Sequence, residues 1–198
     1  ALFFTGGVDS FYSLVSEEKN SNKSQIKYLL FILGFDIPLI KDKNEFNKAY
    51  QNLLSIGKKF QKEIIFIKTN LRETRFKILN WLPNYGFALS SVAVLFENLY
   101  SRVLLSSDLK FDNFQDKVLK NGDSPRLVPL FSTSQIFFSL NSQNINRTDK
   151  IFFLSKNQFV MKNLRFCWRS KNFSNCSLCE KCFRTMTAFY LIKKLKFL

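Results

Sequence analysis

Residues 1–18 read ALFFTGGVDSFYSLVSEE and decide the fold. A short apolar run from Ala1 to Thr5 ends in two glycines, which is typical of a buried strand that runs into a turn. Apolar residues then recur at helical spacing between 11 and 15, and Ser10 stands where the N-cap of that helix is expected. The segment therefore predicts a strand, a glycine loop and a helix in succession.

The rest of the first half repeats this alternation. Further apolar runs at 28–34, 63–68 and 102–105 are expected to be strands, and 44–60 has the spacing of a helix. A second helix is expected to follow a break at Pro83–Gly86 and to continue through Tyr100. Alternating strands and helices predict an α/β fold with a doubly wound parallel sheet.

The second half is less regular between 109 and 166, where 151–154 fits either a strand or a helix. A last helix is expected from about Glu180 to Leu195, with Phe183, Met186 and Tyr190 on its apolar face.

The glycine loop, TGGVDS at residues 5–10, has the chemistry of an anion site. A helix N-terminus exposes N–H groups and partial positive charge, and glycines let the backbone approach a phosphate closely. The hydroxyls of Thr5 and Ser10 can donate to phosphate oxygens, whereas Asp9 suits loop geometry or Mg²⁺. The competing interpretation is a glycine turn that binds nothing.

This loop resembles the PP-loop ATP pyrophosphatases, whose signature is Ser-Gly-Gly-x-Asp-Ser; Thr5 replaces the first serine. The resemblance implies the five-stranded adenine nucleotide α-hydrolase-like (HUP) fold, with adenine against the end of strand 28–34. It also implies an ATP-binding set: Phe4, Thr5, Gly6, Gly7, Val8, Asp9, Ser10, Phe11 and Asp36.

Four cysteines, the only ones in the chain, stand at C-x8-C-x2-C-x2-C spacing: Cys167, Cys176, Cys179 and Cys182. Four thiolates satisfy a tetrahedral structural zinc. An iron–sulfur cluster, a redox-active C-x-x-C pair and disulfides are the alternatives.

A cysteine pattern of this kind behind a PP-loop is similar to that of the 7-cyano-7-deazaguanine synthases, the QueC-type enzymes. The middle of the chain, around 80–88, differs from them, which indicates a neighbouring branch of the family. The expected organisation is a nucleotide-binding domain at 1–150 and a zinc-binding helical module at 151–198, packed together.

The resemblance implies a two-step reaction. An acceptor oxygen, from a carboxylate or carbonyl, attacks the α-phosphorus of ATP, Mg²⁺ bridges the departing pyrophosphate, and a nitrogen nucleophile then displaces AMP. Asp9, Ser10, Arg72 and Asp108 are the candidate catalytic residues, the last two because they follow strands at one sheet edge. Nitrogen is favoured over sulfur because zinc would occupy every thiolate. Changing Asp9 to Asn is expected to abolish pyrophosphate release and leave the fold intact.

Composition limits the alternatives. The chain has no histidine, which excludes Ser-His-Asp and Cys-His catalysis within it. The 30 Lys and Arg against 15 Asp and Glu give +15, which suits ATP and tRNA, although a lysine-rich codon bias explains the same excess.

Two further functions stay open: a tRNA-modifying thiolase, and a nucleotide-binding module without activity. We expect a cytoplasmic protein that binds a small acceptor and no membrane, with a homodimer left open. The abrupt start at Ala1 suggests that sequence precedes it.

Overall fold

The computed structural model describes residues 1–20, 26–35, 37, 39, 43–110, 121–167, 169 and 174–197. The expected ATP-binding residue Asp36 therefore lies outside the described residues.

Five parallel strands form one sheet in the order β3-β2-β1-β4-β5. The strands are β1 Leu2–Phe3, β2 Tyr28–Leu33, β3 Glu63–Lys68, β4 Arg102–Ser106 and β5 Phe137–Asn141. The predicted α/β class with a parallel sheet is confirmed. The sequence analysis located the first four strands and missed β5, whose exposed Phe137 and polar Ser139 and Asn141 break up its apolar run.

Within the described residues, six helices accompany the strands: α1 Val8–Asn20, α2 Lys43–Phe60, α3 Trp81–Val94, α4 Arg147–Leu154, α5 Gln158–Asn163 and α6 Glu180–Leu191. Segment 151–154 is thus helical. Short 3₁₀ turns lie at Leu71–Glu73, Arg75–Ile78, Val128–Phe131 and Leu195–Phe197.

Helix α3 corrects two expectations, because Pro83–Gly86 lies inside it and it ends at Val94 rather than Tyr100. Pro83 is the third helical residue. A backbone N–H at this position has no acceptor within the helix, so proline, which lacks the N–H, costs the helix no hydrogen bond there. Asn80 caps this start by accepting a hydrogen bond from the Leu82 N–H at 3.2 Å.

The buried face of α6 also differs from the expected one. Phe183 and Tyr190 are 72% and 68% exposed, whereas Thr185 and Phe189 are fully buried. Cys182 is buried in the same cluster. Because the four cysteines converge, the burial of Cys182 sets which side of α6 faces the core.

Two buried clusters cover the two faces of the sheet, as the alternation of side chains along strands requires. One contains Leu2 and Phe4 with residues of α1, α2, α4, α5 and α6, and the other contains Ala1 and Phe3 with residues of α3. The chain from 151 onward therefore shares a core with the first strand.

Candidate functional site

The glycine loop lies at the carboxyl end of β1, beside the carboxyl end of β4. The chain leaves β1 for β2 on one side, while β4 pairs with β1 on the other, so the strand order reverses between β1 and β4. Open α/β sheets bind ligands in the crevice at such a point. The fold therefore places residues 5–10 where a ligand is expected.

Backbone hydrogen bonds shape the loop. Gly6 has φ +74°, a conformation that favours glycine, and its carbonyl accepts from the Arg165 N–H at 2.7 Å. Helix α1 begins at Val8, so Gly7 precedes it and offers no side chain to cap the helix. The first N–H groups of a helix have no intrahelical acceptor. The start of α1 is therefore suited to an anion from outside the protein.

Ser10 serves the loop itself. Helix α1 begins two residues before the expected N-cap, so Ser10 lies in the first turn, where it is buried. Its Oγ accepts from the Thr5 N–H at 3.4 Å and donates to the Gly7 carbonyl at 3.2 Å. This hydroxyl supports the loop in the observed conformation rather than facing the crevice.

Three of the expected ATP-binding side chains belong to the core. Phe4, Val8 and Phe11 are at most 1% exposed, and the Phe4 and Phe11 rings meet edge to face at 4.9 Å. Only the backbone of these residues can face a ligand.

Asp9 holds two cations of α4 beside the loop. Its carboxylate accepts from Arg147 Nη1 at 2.8 Å and from Lys150 Nζ at 3.1 Å. The Lys150 side chain is fully buried and also donates to the Ser107 carbonyl at the end of β4. Removing one partner of a buried ion pair leaves a desolvated charge. The structure therefore revises the expectation that changing Asp9 to Asn would leave the fold intact.

Asp108, the expected catalytic residue after β4, is close to Asp9. Loss of solvent around its carboxyl group, followed by the negative charges of Asp123 and Asp9, raises the pKa of Asp108 to about 6, against a smaller opposing effect of Lys181. Its backbone N–H donates to Asp123 Oδ2 at 3.1 Å. The structure thus brings two of the predicted residues together and adds Asp123.

A close contact between two glycines positions Asp123. The Gly122 N–H donates to the Leu82 carbonyl at 2.9 Å, and a Cβ on Gly86 would stand only 1.9 Å from the Gly122 carbonyl oxygen. No other residue fits at Gly86 without moving that backbone. Asp123, 1% exposed, is held at the edge of the sheet by this packing against α3.

Arg72 lies apart from the carboxylates, on the side of β2. Its guanidinium donates to the Phe35 carbonyl at 2.9 Å and stands 4.4 Å from the centre of the Trp81 ring. A cavity of about 30 Å³ between Thr5, Phe35, Trp81 and Tyr85 adjoins it. Arg72 therefore supports an aromatic wall next to the loop.

The four cysteines converge as predicted. Their sulfur atoms all lie within 4.8 Å of one another, with Cys167–Cys179 at 3.9 Å and Cys176–Cys182 at 3.8 Å. Tetrahedral zinc with Zn–S bonds of about 2.3 Å requires sulfurs about 3.8 Å apart. The cysteines form a candidate metal site whose spacing is consistent with structural zinc.

The thiol groups differ in acidity because Cys179 caps α6. Burial opposes ionisation of Cys179, but hydrogen bonds from the Cys182 N–H and neighbouring thiols outweigh it and lower its pKa. Burial raises the pKa of Cys182 to about 12. A cation bound between the sulfurs would favour ionisation of the whole set.

Sequence reasoning missed Arg147, Lys150 and Arg165, which surround the loop. Asp9 and Lys150 are 141 positions apart in the chain, so no local pattern links them. A signal for α4 was present: Asn146 is a strong N-cap residue, and the two cations are three apart, on one helical face.

No protein-family model matches this sequence, and no curated protein matches it either. In the part of the chain that the structure describes, no helix has both the length and the apolar character needed to cross a membrane. The chain is an α/β protein with a parallel sheet and a candidate four-cysteine metal site. Any function proposed for it therefore rests on the geometry of the site.

Proposed function

We propose that this chain binds ATP on residues 5–10 and adenylates a small acceptor with release of pyrophosphate, as the PP-loop ATP pyrophosphatases do. The observation that carries the proposal is the start of α1 behind two glycines, in the crevice between β1 and β4. There the helix dipole and the N–H groups following Gly7 favour phosphate. The HUP type of fold and its doubly wound character are part of this proposal.

Arg147 and Lys150 supply the positive charge beside the phosphates. Asp9 fixes both cations with its two oxygens, so they need not reorganise when the charge on the phosphates shifts during reaction. Mg²⁺ would shield the leaving pyrophosphate, with oxygen ligands from the phosphates and the carboxylates at this edge. Adenine would lie toward the end of β2, beside the wall formed by Phe35 and Trp81.

The acceptor would occupy the β4 side of the crevice. Asp108 lies there, and its pKa of about 6 suits a group that gains and loses protons near neutrality. It would accept the proton that a nitrogen nucleophile such as ammonia releases on attacking the adenylated carbon. This step joins carbon to nitrogen and expels AMP.

The metal would be zinc in a structural role. In a four-iron cluster each thiolate binds a different iron, which spreads the sulfurs beyond the spacing around a single ion. The observed spacing of 3.8 to 3.9 Å between paired sulfurs favours one ion. All four thiolates would then be occupied, which favours a nitrogen donor over self-delivered sulfur.

The reaction products test the proposal. Metal-loaded protein is incubated with Mg-ATP, ammonium and a panel of small carboxylic acids, and AMP and pyrophosphate are quantified. We expect equal amounts of both with at least one acceptor. Formation of ADP and phosphate, or nucleotide binding without turnover, would contradict the proposal; the second outcome indicates the inactive module.

Thr5→Val sharpens this test because it removes one hydroxyl with little change of shape. If that hydroxyl donates to a phosphate, kcat/KM falls on the order of tenfold or more. Thr148→Val, on the exposed surface of α4, is the matched control and should leave the rate unchanged.

The net charge of +15 favours one alternative, a tRNA-modifying enzyme. That function predicts tRNA binding that weakens steeply with added salt. Failure to retain tRNA on filters at low salt would exclude it.

A further inference from the structure

Residues 164–167 connect the metal site to the glycine loop; we call them the strap. The Arg165 N–H donates to the Gly6 carbonyl at 2.7 Å. A methyl group on Gly6 would lie 3.7 Å from Arg165 Cβ, and one on Gly7 would lie 3.6 Å from the Arg165 carbonyl oxygen. The strap therefore lies directly beside both glycines, with a gap no wider than about one methyl group.

Asn175 holds the strap from the other side. Its Oδ1 accepts from the N–H groups of Phe166 and Cys167 at 3.0 and 3.2 Å, and its Nδ2 donates to the Leu164 carbonyl at 2.9 Å. Asn175 directly precedes the metal-site residue Cys176, and Cys167 is the last residue of the strap. One side chain thus joins both chain segments that supply cysteines.

The hydrogen bond from Arg165 determines which way a peptide unit faces. A trans peptide is planar, with its C=O and N–H pointing in opposite directions. Because the strap holds the Gly6 carbonyl, the N–H of Gly7 must point away from the strap, on the opposite side of the loop. A peptide between two glycines meets no Cβ barrier to rotation, so an external hydrogen bond is what fixes it.

We propose that Asn175 is a positioning residue for the phosphate loop, and that metal on the four cysteines raises the affinity of the loop for nucleotide phosphates through the strap. The proposal deepens the proposed function and rests on it where it takes residues 5–10 as a phosphate site. A metal ion on the four cysteines would hold Cys167 and Cys176 in place. Asn175 and the strap would then stay in register, and the Gly6–Gly7 peptide would keep the orientation that we propose for phosphate binding. Affinity is gained because the loop is ordered before the ligand arrives.

Coupling of this kind is reciprocal, so nucleotide must raise metal affinity by the factor by which metal raises nucleotide affinity. We expect a factor on the order of tenfold, within the usual range for coupled sites.

The test uses the full metal-loaded chain and Mg-ADP as the probe, well below the melting temperature. Asn175→Ala removes three hydrogen bonds, whereas Asn175→Asp keeps an acceptor for the two N–H groups and loses the donor. We expect Kd for Mg-ADP to rise on the order of tenfold in Asn175→Ala, with partial rescue in Asn175→Asp. Asn157→Ala, which removes the cap of α5 through the Val160 N–H, is the control and should change Kd less than about twofold.

Hydrogen exchange separates this proposal from the proposed function. The Arg165 amide should be protected in metal-loaded protein and lose that protection when metal is extracted, whether or not nucleotide binds. If wild-type protein binds no Mg-ADP, the proposed function fails and the coupling to nucleotide affinity fails with it, whereas the exchange result still decides whether metal orders the loop through the strap. An Arg165 amide that stays protected without metal, or Asn175→Ala protein that binds Mg-ADP like the wild type, overturns the proposal. Should Asn175→Ala fail to fold, Asn175→Asp and the exchange of wild-type protein decide it.

Discussion

Helices α1 and α6 both begin beside the same end of the core, and they begin in opposite ways. At α6 the protein supplies its own cap, since Cys179 Sγ accepts from the Cys182 N–H at 3.5 Å. At α1 the preceding residue is Gly7, which has no side chain, so the N–H groups of the first turn are left to an external partner. The first start is capped by the protein itself, and the second fits the phosphate site that we propose.

The two starts also differ in the charges around them. The cysteine site would bring four thiolates to one cation, whereas the loop has the Asp9 carboxylate compensated by Arg147 and Lys150. The first arrangement is complete once metal binds. The second keeps two cations beside the crevice, and their positive charge would attract an additional anion. Substitutions at each helix start test these differences.

The largest effect is expected from Cys179→Ser, which removes both the cap of α6 and one metal ligand. Because metal binding and folding are coupled, stability should fall by about 4 kcal/mol or more, and bound metal should be lost. Chemical denaturation and metal analysis of the purified protein measure this. Leu178→Ser is the control, since Leu178 is 92% exposed and should change stability by less than about 0.5 kcal/mol. Full metal content in Cys179→Ser would contradict the assignment.

The second largest effect is expected from Asp9→Asn. The fully buried Lys150 would then face a neutral amide, and breaking a buried pair in this way costs about 3 kcal/mol. We expect the melting temperature to fall and pyrophosphate release to stop even where the variant is folded. Asp149→Asn is the matched control, because Asp149 is exposed on α4, the helix that carries Lys150. A variant as stable as the wild type would show that the ion pairs contribute little.

Gly6→Ala tests the uncapped start of α1 with a smaller loss of stability. A Cβ finds room at this position, 3.7 Å from Arg165 Cβ, so the penalty comes from φ of +74° and is about 1 kcal/mol. Nucleotide affinity should fall by up to about fivefold, because a strain of about 1 kcal/mol disfavours the loop conformation that binds phosphate. Titration calorimetry with Mg-ATP measures it, and unchanged affinity would argue against the loop.

The smallest effect is a pH dependence. With its pKa raised from 3.8 to about 6, Asp108 binds more protons in the folded protein than in the unfolded chain between these values. Its contribution to stability is therefore full below the ordinary value and lost as pH rises through about 6. Asp108→Asn should gain melting temperature relative to the wild type as pH rises across this range. A constant difference between the two proteins would contradict the raised pKa.

The parts of this structure that could be predicted are those that depend on residues close together in the sequence. Continuous apolar runs located four strands, and the cysteine spacing predicted the candidate metal site, because both signals are local. Strand β5 was missed since its half-exposed position mixes polar with apolar residues, and the face of α6 was wrong because the cysteines rather than the aromatic rings set its rotation.

The surroundings of the loop were beyond prediction for a different reason. Arg147, Lys150 and Arg165 contact residues 5–10 across more than a hundred positions of the chain, and one lysine among many in a basic chain gives no signal of its own. Burial singles out Lys150, and burial is a property of the fold. Sequence therefore predicted the loop itself, and the structure was needed to show what holds it.

Six glycines in the chain allow the central claim to be tested directly. Protein labelled with ¹⁵N-glycine is titrated with Mg-ATP, and amide resonances are assigned by single Gly→Ala substitutions. We predict that the resonances of Gly6 and Gly7 shift strongly, while that of Gly57, a buried residue of α2 beside Ile64, does not shift. Unshifted resonances of Gly6 and Gly7 at saturating nucleotide would contradict the account.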